Sequence, residues 1–180
     1  MMKLGKFPTF FLLMALAACA AAIFGALHNQ LSYTVGPDYF HSLKFAQFAI
    51  PPEMSPRLGA ALVGVQASWW MGAAVALPAF AYGLLSVPNA QSYLAAGIGA
   101  IGLVIMLATM AAFAGLIGGL IADATGLLDA SLTPPEGVDR SDFLRAGFMH
   151  EAAYVAGALG ALVAFWPIRR ARGLDLRRAG

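Results

Sequence analysis

The chain has 180 residues, of which 60% are hydrophobic and only 11% are charged, and its mean hydropathy is +0.74. Soluble domains carry charge at roughly a quarter of their positions, so this composition excludes an ordinary soluble protein and predicts an integral membrane protein, a single domain over residues 1–180. The single Cys19 excludes an internal disulfide, and the small formal net charge of +2 indicates no partner by itself.

Four apolar stretches are long enough to cross a hydrocarbon core of ~30 Å, which takes about 20 residues as a helix. They cover residues 9–27, 58–85, 93–122 and 146–168. Backbone groups in lipid must be satisfied within their own segment, so each stretch is predicted to be α-helical. The expected fold is all-α, an integral membrane four-helix bundle with antiparallel neighbours.

The first apolar stretch has a competing interpretation. Two lysines before an apolar run, followed by small residues around Cys19, also fit a cleavable signal peptide or a lipoprotein box with a lipidated Cys19. The apolar run continues to Leu27, however, so a cleaved chain would begin with exposed apolar residues. An uncleaved first helix is therefore favoured.

The segment from 28 to 57 contains the most varied side chains of the protein. It starts with His28-Asn29-Gln30, and these polar residues predict that the first helix ends at the water boundary. Gly36-Pro37 then breaks the chain. Bulky residues recur at helical spacing from Tyr39 to Ile50, which predicts a short helix in the membrane interface.

Small residues recur every four positions in the last three stretches. In membranes such faces let helix backbones approach closely. The positions expected to pack in this way are Gly64, Ser68, Gly72, Gly115, Gly119 and Gly157.

Ionisable residues extend these faces toward one end of the bundle. His28 continues a small face of the first helix, Asp123 is the next step of the third, and His150 precedes the small face of the fourth. We therefore expect these three side chains to meet at one level. The candidate polar or ligand-binding cluster consists of His28, Tyr33, Asp123, His150, Glu151 and Tyr154.

Lysine and arginine are distributed unevenly between the two sides. Four helices put both termini on one side, which carries seven basic residues and one acidic residue, whereas the other side carries four basic and eight acidic residues. The positive-inside rule therefore predicts cytoplasmic termini in a multi-pass protein of the inner (plasma) membrane.

Several segments resemble a motif of uncharacterised bacterial multi-span membrane proteins. The similar segments are His28-Asn29-Gln30, Ser32-Tyr33-Thr34-Val35, Pro37-Asp38-Tyr39-Phe40, Lys44-Phe45-Ala46-Gln47-Phe48, and residues 67–72 and 145–150. The family pattern has Asn where this chain has Glu151. The resemblance implies a multi-span helical fold with a histidine at the exit of the first helix, and it implies no activity.

Two main classes of function fit these residues. The first is a non-enzymatic accessory or scaffold protein whose polar face contacts a partner. The alternative is a redox protein that binds a metal ion or a b-type haem through His28 and His150, because histidine is a common ligand of zinc, copper and iron. A transport component is less favoured, because the spans lack charged residues near their centres.

Catalysis is not expected from this sequence. No nucleophile and base occur together with a recognisable oxyanion element. The expected partners are the lipid bilayer and either another membrane protein or a second copy of the chain, and no nucleic acid is expected.

Overall fold

The computed structural model describes residues 5–128 and 131–179. Lys3 and Asp129, which enter the charge counts behind the predicted orientation, lie outside the described residues. The described chain is almost wholly helical, and no β-strand occurs in it. The predicted all-α fold is confirmed.

Four long apolar segments are each long enough to cross a membrane. In chain order the helices are α1 (Lys6–Val35), α2 (Pro37–Tyr39), a π-helical turn (Phe40–Lys44), α3 (Phe45–Gln47), α4 (Pro56–Ser86), α5 (Ala90–Thr125), α6 (Arg140–Val163) and α7 (Phe165–Ala179). The spanning segments are α1, α4, α5, and α6 with α7, which follows after a break at Ala164.

The first helix does not end at His28, as the polar residues suggested, but continues to Val35. The physical reason lies in the neighbouring helix. Asn29 donates a hydrogen bond to the carbonyl of Ala60, and Gln30 donates one to the carbonyl of Arg57. Polar side chains that find partners on an adjacent helix need no water, so the helix continues through them.

The fourth spanning segment also differs from its predicted limits of 146 and 168. It begins at Arg140, where Asp139 accepts a hydrogen bond from the backbone N–H of Asp142 as an N-cap. At its other end α7 carries the basic residues of the chain terminus. The side chain of Asp175 holds α7 to the α4–α5 turn, by accepting hydrogen bonds from the Asn89 N–H and the Ser92 hydroxyl.

The helices associate as two antiparallel pairs. Helix α1 packs along α4, and α5 packs along α6, while the contacts between the two pairs are far fewer. Residues 28–57, 126–128 and 131–139 lie at one end of the bundle, here called the loop end. The start of α1 at Lys6, residues 87–89 and the basic end of α7 lie at the other, here called the terminal end.

The buried apolar core is concentrated near the terminal end. It includes Leu13 of α1, Phe80 of α4, Tyr93 of α5 and Ile168 of α7, all with almost no exposed surface. The Tyr93 hydroxyl donates a hydrogen bond of 2.8 Å to the Phe80 carbonyl. This core joins the two helix pairs at the terminal end.

The predicted interfacial helix is present as α2, the π-helical turn and α3, residues Pro37–Gln47, here called the cap segment. Its aromatic residues Tyr39 and Phe40 are buried with Val63 and Ala146 in a second, smaller core. The cap segment therefore covers the loop end of the bundle between α4 and α6.

Candidate functional site

The imidazole rings of His28 and His150 are in direct contact, where α1 meets α6. Their centroids are 4.8 Å apart at an interplanar angle of 83°, an edge-to-face arrangement. His28 is 7% exposed and His150 is 3% exposed. The structure thus brings together the two histidines that the helical periodicity placed at one level.

Ser32 of α1 also contacts the histidine pair. Its hydroxyl lies 3.2 Å from Nε2 of His150, and its side chain is fully buried. Sequence reasoning missed Ser32, because the first helix was expected to end before it. A helix that continues past His28 puts Ser32 on the same face one turn later, and this spacing is the signal that could have identified it.

Aromatic rings enclose the histidine pair on several sides. Phe24 stacks on His28 with centroids 5.6 Å apart, and Tyr39 of the cap segment stacks on His150 at 5.4 Å. The Tyr154 ring lies 6.0 Å from that of His150. The cap segment therefore shields His150 from the loop end.

Nε2 of His28 has no hydrogen-bond partner. Among the described residues it is the single buried side-chain nitrogen or oxygen in this condition. Buried polar groups in folded proteins are almost always paired, because an unmade hydrogen bond costs about 1–3 kcal/mol. An unpaired buried imidazole nitrogen is therefore a position at which a ligand atom is favoured.

His28 borders a narrow central cavity of about 100 Å³ between the two helix pairs. The cavity extends along α1 from His28 to Ala17, a distance of roughly 16 Å at 1.5 Å per residue. Its walls are mostly small or aliphatic, and none of the described residues that line it is an Asp, Glu, Lys or Arg. Lining residues from each helix include Ala21, Gly25, Ser68, Gly72, Val104, Ala108, Ala153 and Gly157.

A second cavity of about 430 Å³ lies on the other side of His28, between α1 and α5. Its lining includes Ile23, Leu27 and Phe113, whose side chains are about half exposed on the outer surface of the bundle. Phe24, His28 and Ile105 line both cavities. These three side chains therefore form the wall between the central cavity and a groove on the membrane-facing surface.

The other residues of the predicted cluster lie elsewhere. Asp123 accepts hydrogen bonds from Arg145 at 2.6 and 3.1 Å and from the hydroxyl of Ser141 at 2.7 Å, and forms an ion pair with Arg140 at 3.2 Å. This ionic cluster joins the ends of α5 and α6. The expectation that Asp123 meets the histidines is wrong, because Asp123 bonds to Ser141 and Arg145, which lie more than one turn nearer the loop end of α6 than His150.

Tyr33 and Glu151 also lie outside the histidine pair. The Tyr33 hydroxyl is 3.0 Å from Nε2 of His41, and the guanidinium of Arg57 lies over its ring. Glu151 is exposed on α6. Tyr154 is thus the one other member of the predicted cluster that contacts the histidine pair.

Carboxylates dock the cap segment on the N-terminal end of α6. The backbone N–H of Asp38 donates to Asp142 at 2.7 Å, and the side chain of Asp38 accepts from the backbone N–H of Asp139 and from the hydroxyl of Ser42. Those two donors lower the pKa of the Asp38 carboxyl below its ordinary value, because they stabilise its ionised form.

The electrostatics of the cap segment follow from its burial against α6. Burial raises the pKa of the Tyr39 phenol, and the nearby Tyr154 and Glu151 raise it further. Burial lowers the pKa of the Lys44 ammonium, and the Glu151 carboxylate partly opposes this shift. Tyr39 is therefore a neutral side chain above the histidine pair.

The histidine pair does not have the geometry of a haem site. Metal–nitrogen bonds are about 2.0 Å long, so two axial imidazoles must stand on opposite sides of the iron, with the porphyrin between them. Here the rings touch, and the adjoining cavity is narrow. For a metal ion, the described residues contain no group of three or more His, Cys, Asp or Glu side chains that could hold one. The pair alone would supply two protein ligands.

Most of the small residues selected from the sequence lie at close helix contacts. A Cβ at Gly64 would overlap the backbone of Gly25, and one at Gly72 would approach the Ala17 carbonyl. Gly115 and Gly119 lie equally close to the backbone of α6, at Phe148 and Leu144. The Ser68 hydroxyl reaches the same α1–α4 crossing, at Gly25.

Gly157 differs from the other small residues. The nearest atom to a Cβ placed there is the sulfur of Met71, at 4.0 Å, which is an ordinary contact distance. Gly157 therefore faces the central cavity and is not a point of close helix approach.

Comparison with protein families, with curated proteins and with solved structures finds no match to this chain.

Proposed function

We propose that this protein is a non-enzymatic accessory protein of the inner membrane that holds one lipid-like molecule between its two helix pairs. The ligand has a linear apolar tail, which occupies the central cavity, and a carbonyl or hydroxyl group, which hydrogen-bonds to His28. The observation that carries this proposal is the unpaired, buried Nε2 of His28 at the end of an uncharged cavity.

The shape of the cavity favours a linear chain. About 100 Å³ spread over roughly 16 Å leaves a narrow slot, which suits an acyl or polyprenyl chain better than a planar ring system. Its small and aliphatic lining offers dispersion contacts along the whole length, and such pockets typically carry few polar groups that fix orientation. Here those groups are His28 and His150, with Ser32 behind them.

The groove between α1 and α5 supports entry from the lipid. It lies on the membrane-facing surface and is separated from the central cavity by Phe24, His28 and Ile105. Rotation of the Phe24 side chain would join the two spaces. A membrane-dissolved molecule could then enter sideways, without crossing the polar loop end.

In the proposed arrangement both termini are cytoplasmic and the cap segment faces outward. The support is the positive-inside rule, since α7 carries five arginines after its first apolar turn. The cap segment would then close the outer end of the binding site with Tyr39.

Purified protein tests the proposal. Native mass spectrometry of protein taken from its own membrane in mild detergent should show one added mass of a lipid-like molecule. Solvent extraction followed by chromatography distinguishes its source, since a phospholipid yields fatty acyl chains and an isoprenoid quinone has a redox-sensitive ultraviolet spectrum. Protein without any bound amphiphile would refute the proposal.

Two matched pairs of variants locate the site. Gly157→Leu should fill the cavity and displace the ligand, whereas Gly99→Leu, at an exposed position with no atom within 4 Å, should not. His28→Ala should weaken retention, whereas His41→Ala, which alters a histidine bonded to Tyr33 outside the cavity, should not. Equal occupancy in all four variants would contradict the assigned position.

Metal binding is the second candidate, and the contact between the two imidazoles is the observation that favours it. Elemental analysis of the same preparation separates the two candidates. A stoichiometric transition metal that is lost in both His28→Ala and His150→Ala would support the metal site in place of the lipid-like ligand.

A further inference from the structure

We propose that the membrane-facing surface of α4 around Gln66, Trp69 and Trp70 is the contact between two copies of this chain in the membrane. The proposal concerns the opposite side of α4 from the central cavity, and it does not depend on what that cavity binds.

These three side chains are exposed deep within the membrane-spanning part of α4. Gln66 is exposed, and Trp69 and Trp70 are each 52% exposed. Arg57 marks the polar level at the loop end, and Gln66 lies nine residues beyond it, about 13 Å along the helix. The two tryptophans lie about 18–20 Å from Arg57, well past the interfacial layer in which tryptophan is normally found.

Each of these side chains has hydrogen-bonding groups that find no partner among the described residues. In the described residues no hydrogen bond involves the Gln66 amide or either indole N–H. Lipid tails cannot supply the missing partners, so polar groups at this depth normally face another protein surface. The neighbours on the same face, Leu58 and Leu77, are apolar and exposed.

The other spanning helices do not share this feature among the described residues. At the depth of Gln66 and the two tryptophans, the large exposed residues of α1, α5 and α6 are apolar and include Ile23, Met110, Phe113, Val155 and Leu159. The exposed Glu151 of α6 lies nearer the loop end, close to Tyr39 and Lys44 of the cap segment. The face of α4 is thus chemically distinct from the rest of the lipid-exposed surface.

A second copy of the chain satisfies these groups directly. All copies insert with the same topology, so a twofold axis relating two of them runs along the membrane normal, and each residue meets its own counterpart at equal depth. The Gln66 amide carries both a donor and an acceptor, so two of them pair reciprocally. The Trp70 indole N–H, one turn further along the same face, is within reach of the same contact.

Disulfide cross-linking in native membranes tests this contact. In a Cys19→Ser background, Gln66→Cys should give a covalent dimer on mild oxidation. Ile23→Cys is the matched control, because it lies at the same depth on the membrane-facing side of α1 and should give none. Equal yields at the two positions, or cross-links from position 66 only to other proteins, would overturn the proposal.

Energy transfer between labelled copies in liposomes measures the dissociation constant of the dimer. Gln66→Leu should weaken dimerisation about threefold to thirtyfold, the range expected for interhelical hydrogen bonds in membranes. Gln66→Asn, which keeps a donor and an acceptor, should retain part of the affinity. The thermal unfolding of both variants, measured at a dilution in detergent at which the protein is monomeric, should match the parent protein, since the position is exposed in the monomer. An unchanged dissociation constant in Gln66→Leu would overturn the proposal.

Discussion

Replacement of Gly64 by alanine tests the closest contact in the bundle. Gly64 of α4 faces Gly25 of α1, and a Cβ at position 64 would overlap the backbone of Gly25. Carbon atoms pack at about 3.5–4.0 Å, so the two helices must separate by on the order of 1 Å. The hydrogen bond from Asn29 to the Ala60 carbonyl, 2.9 Å long and one turn away, would then lengthen and weaken.

The expected cost combines two terms. Overpacking costs about 1–3 kcal/mol, and an interhelical hydrogen bond in a membrane protein contributes about 0.6–1.7 kcal/mol. Alanine gains roughly 0.5–1 kcal/mol over glycine in helix propensity, so the net destabilisation should be about 1–4 kcal/mol. Gly102→Ala is the control, because no atom lies within 4 Å of a Cβ there and only the propensity gain applies.

Steric trapping of the purified protein in bicelles measures the free energy of unfolding of both variants under the same conditions. Gly25→Ala combined with Gly64→Ala should cost less than the sum of the single changes, because the first substitution already separates the helices. If Gly64→Ala were as stable as Gly102→Ala, the close approach of α1 and α4 at this point would be wrong.

Three further changes test other parts of the structure. Asp123→Asn should destabilise the protein by about 1.5–3 kcal/mol, since it removes charged hydrogen bonds to Arg145, and chemical denaturation in detergent measures this. The Asp38 carboxyl is hydrogen-bonded and its pKa is lowered in the fold, so it should stabilise the docked cap segment above its unfolded pKa of 3.8 and lose this effect as the pH falls through its folded pKa. Hydrogen exchange of the cap segment from pH 6 downward should show the opening, and Asp38→Asn should reduce the pH dependence, since the Asp142 carboxylate that accepts from the backbone N–H of residue 38 remains. Tyr93→Phe removes the hydrogen bond to the Phe80 carbonyl and should lower the free energy of unfolding by about 0.5–1.5 kcal/mol, with little change if that bond is absent.

The helices themselves could be predicted from the sequence, because bilayer thickness imposes a length that the apolar stretches satisfy. The predicted positions of the helix ends were less accurate. The polar residues from His28 onward look like a helix end in isolation, yet Asn29 is satisfied by a carbonyl of α4 that lies far away in sequence. A side chain whose partner is on another helix cannot be distinguished by periodicity from one that is solvated.

Part of the candidate site could be predicted from helical spacing. Helical spacing placed His28 and His150 on inward faces, and the structure brings them into contact. Spacing alone does not say how far one helix is shifted along another, so Asp123, which lies nearer the loop end than His150, was assigned to the wrong group. The cap segment over His150 depends on the docking of Asp38 against the first turn of α6, which no local pattern indicates.

The pairing of α1 with α4 and of α5 with α6 joins segments that are adjacent along the chain. Each pair is a helical hairpin that can enter the bilayer as soon as its own residues have left the ribosome, before the other hairpin exists. The late step of assembly is then the docking of two preformed hairpins through the core at the terminal end. A chain cut in the turn at residues 87–89 should therefore reassemble when its two halves are synthesised together.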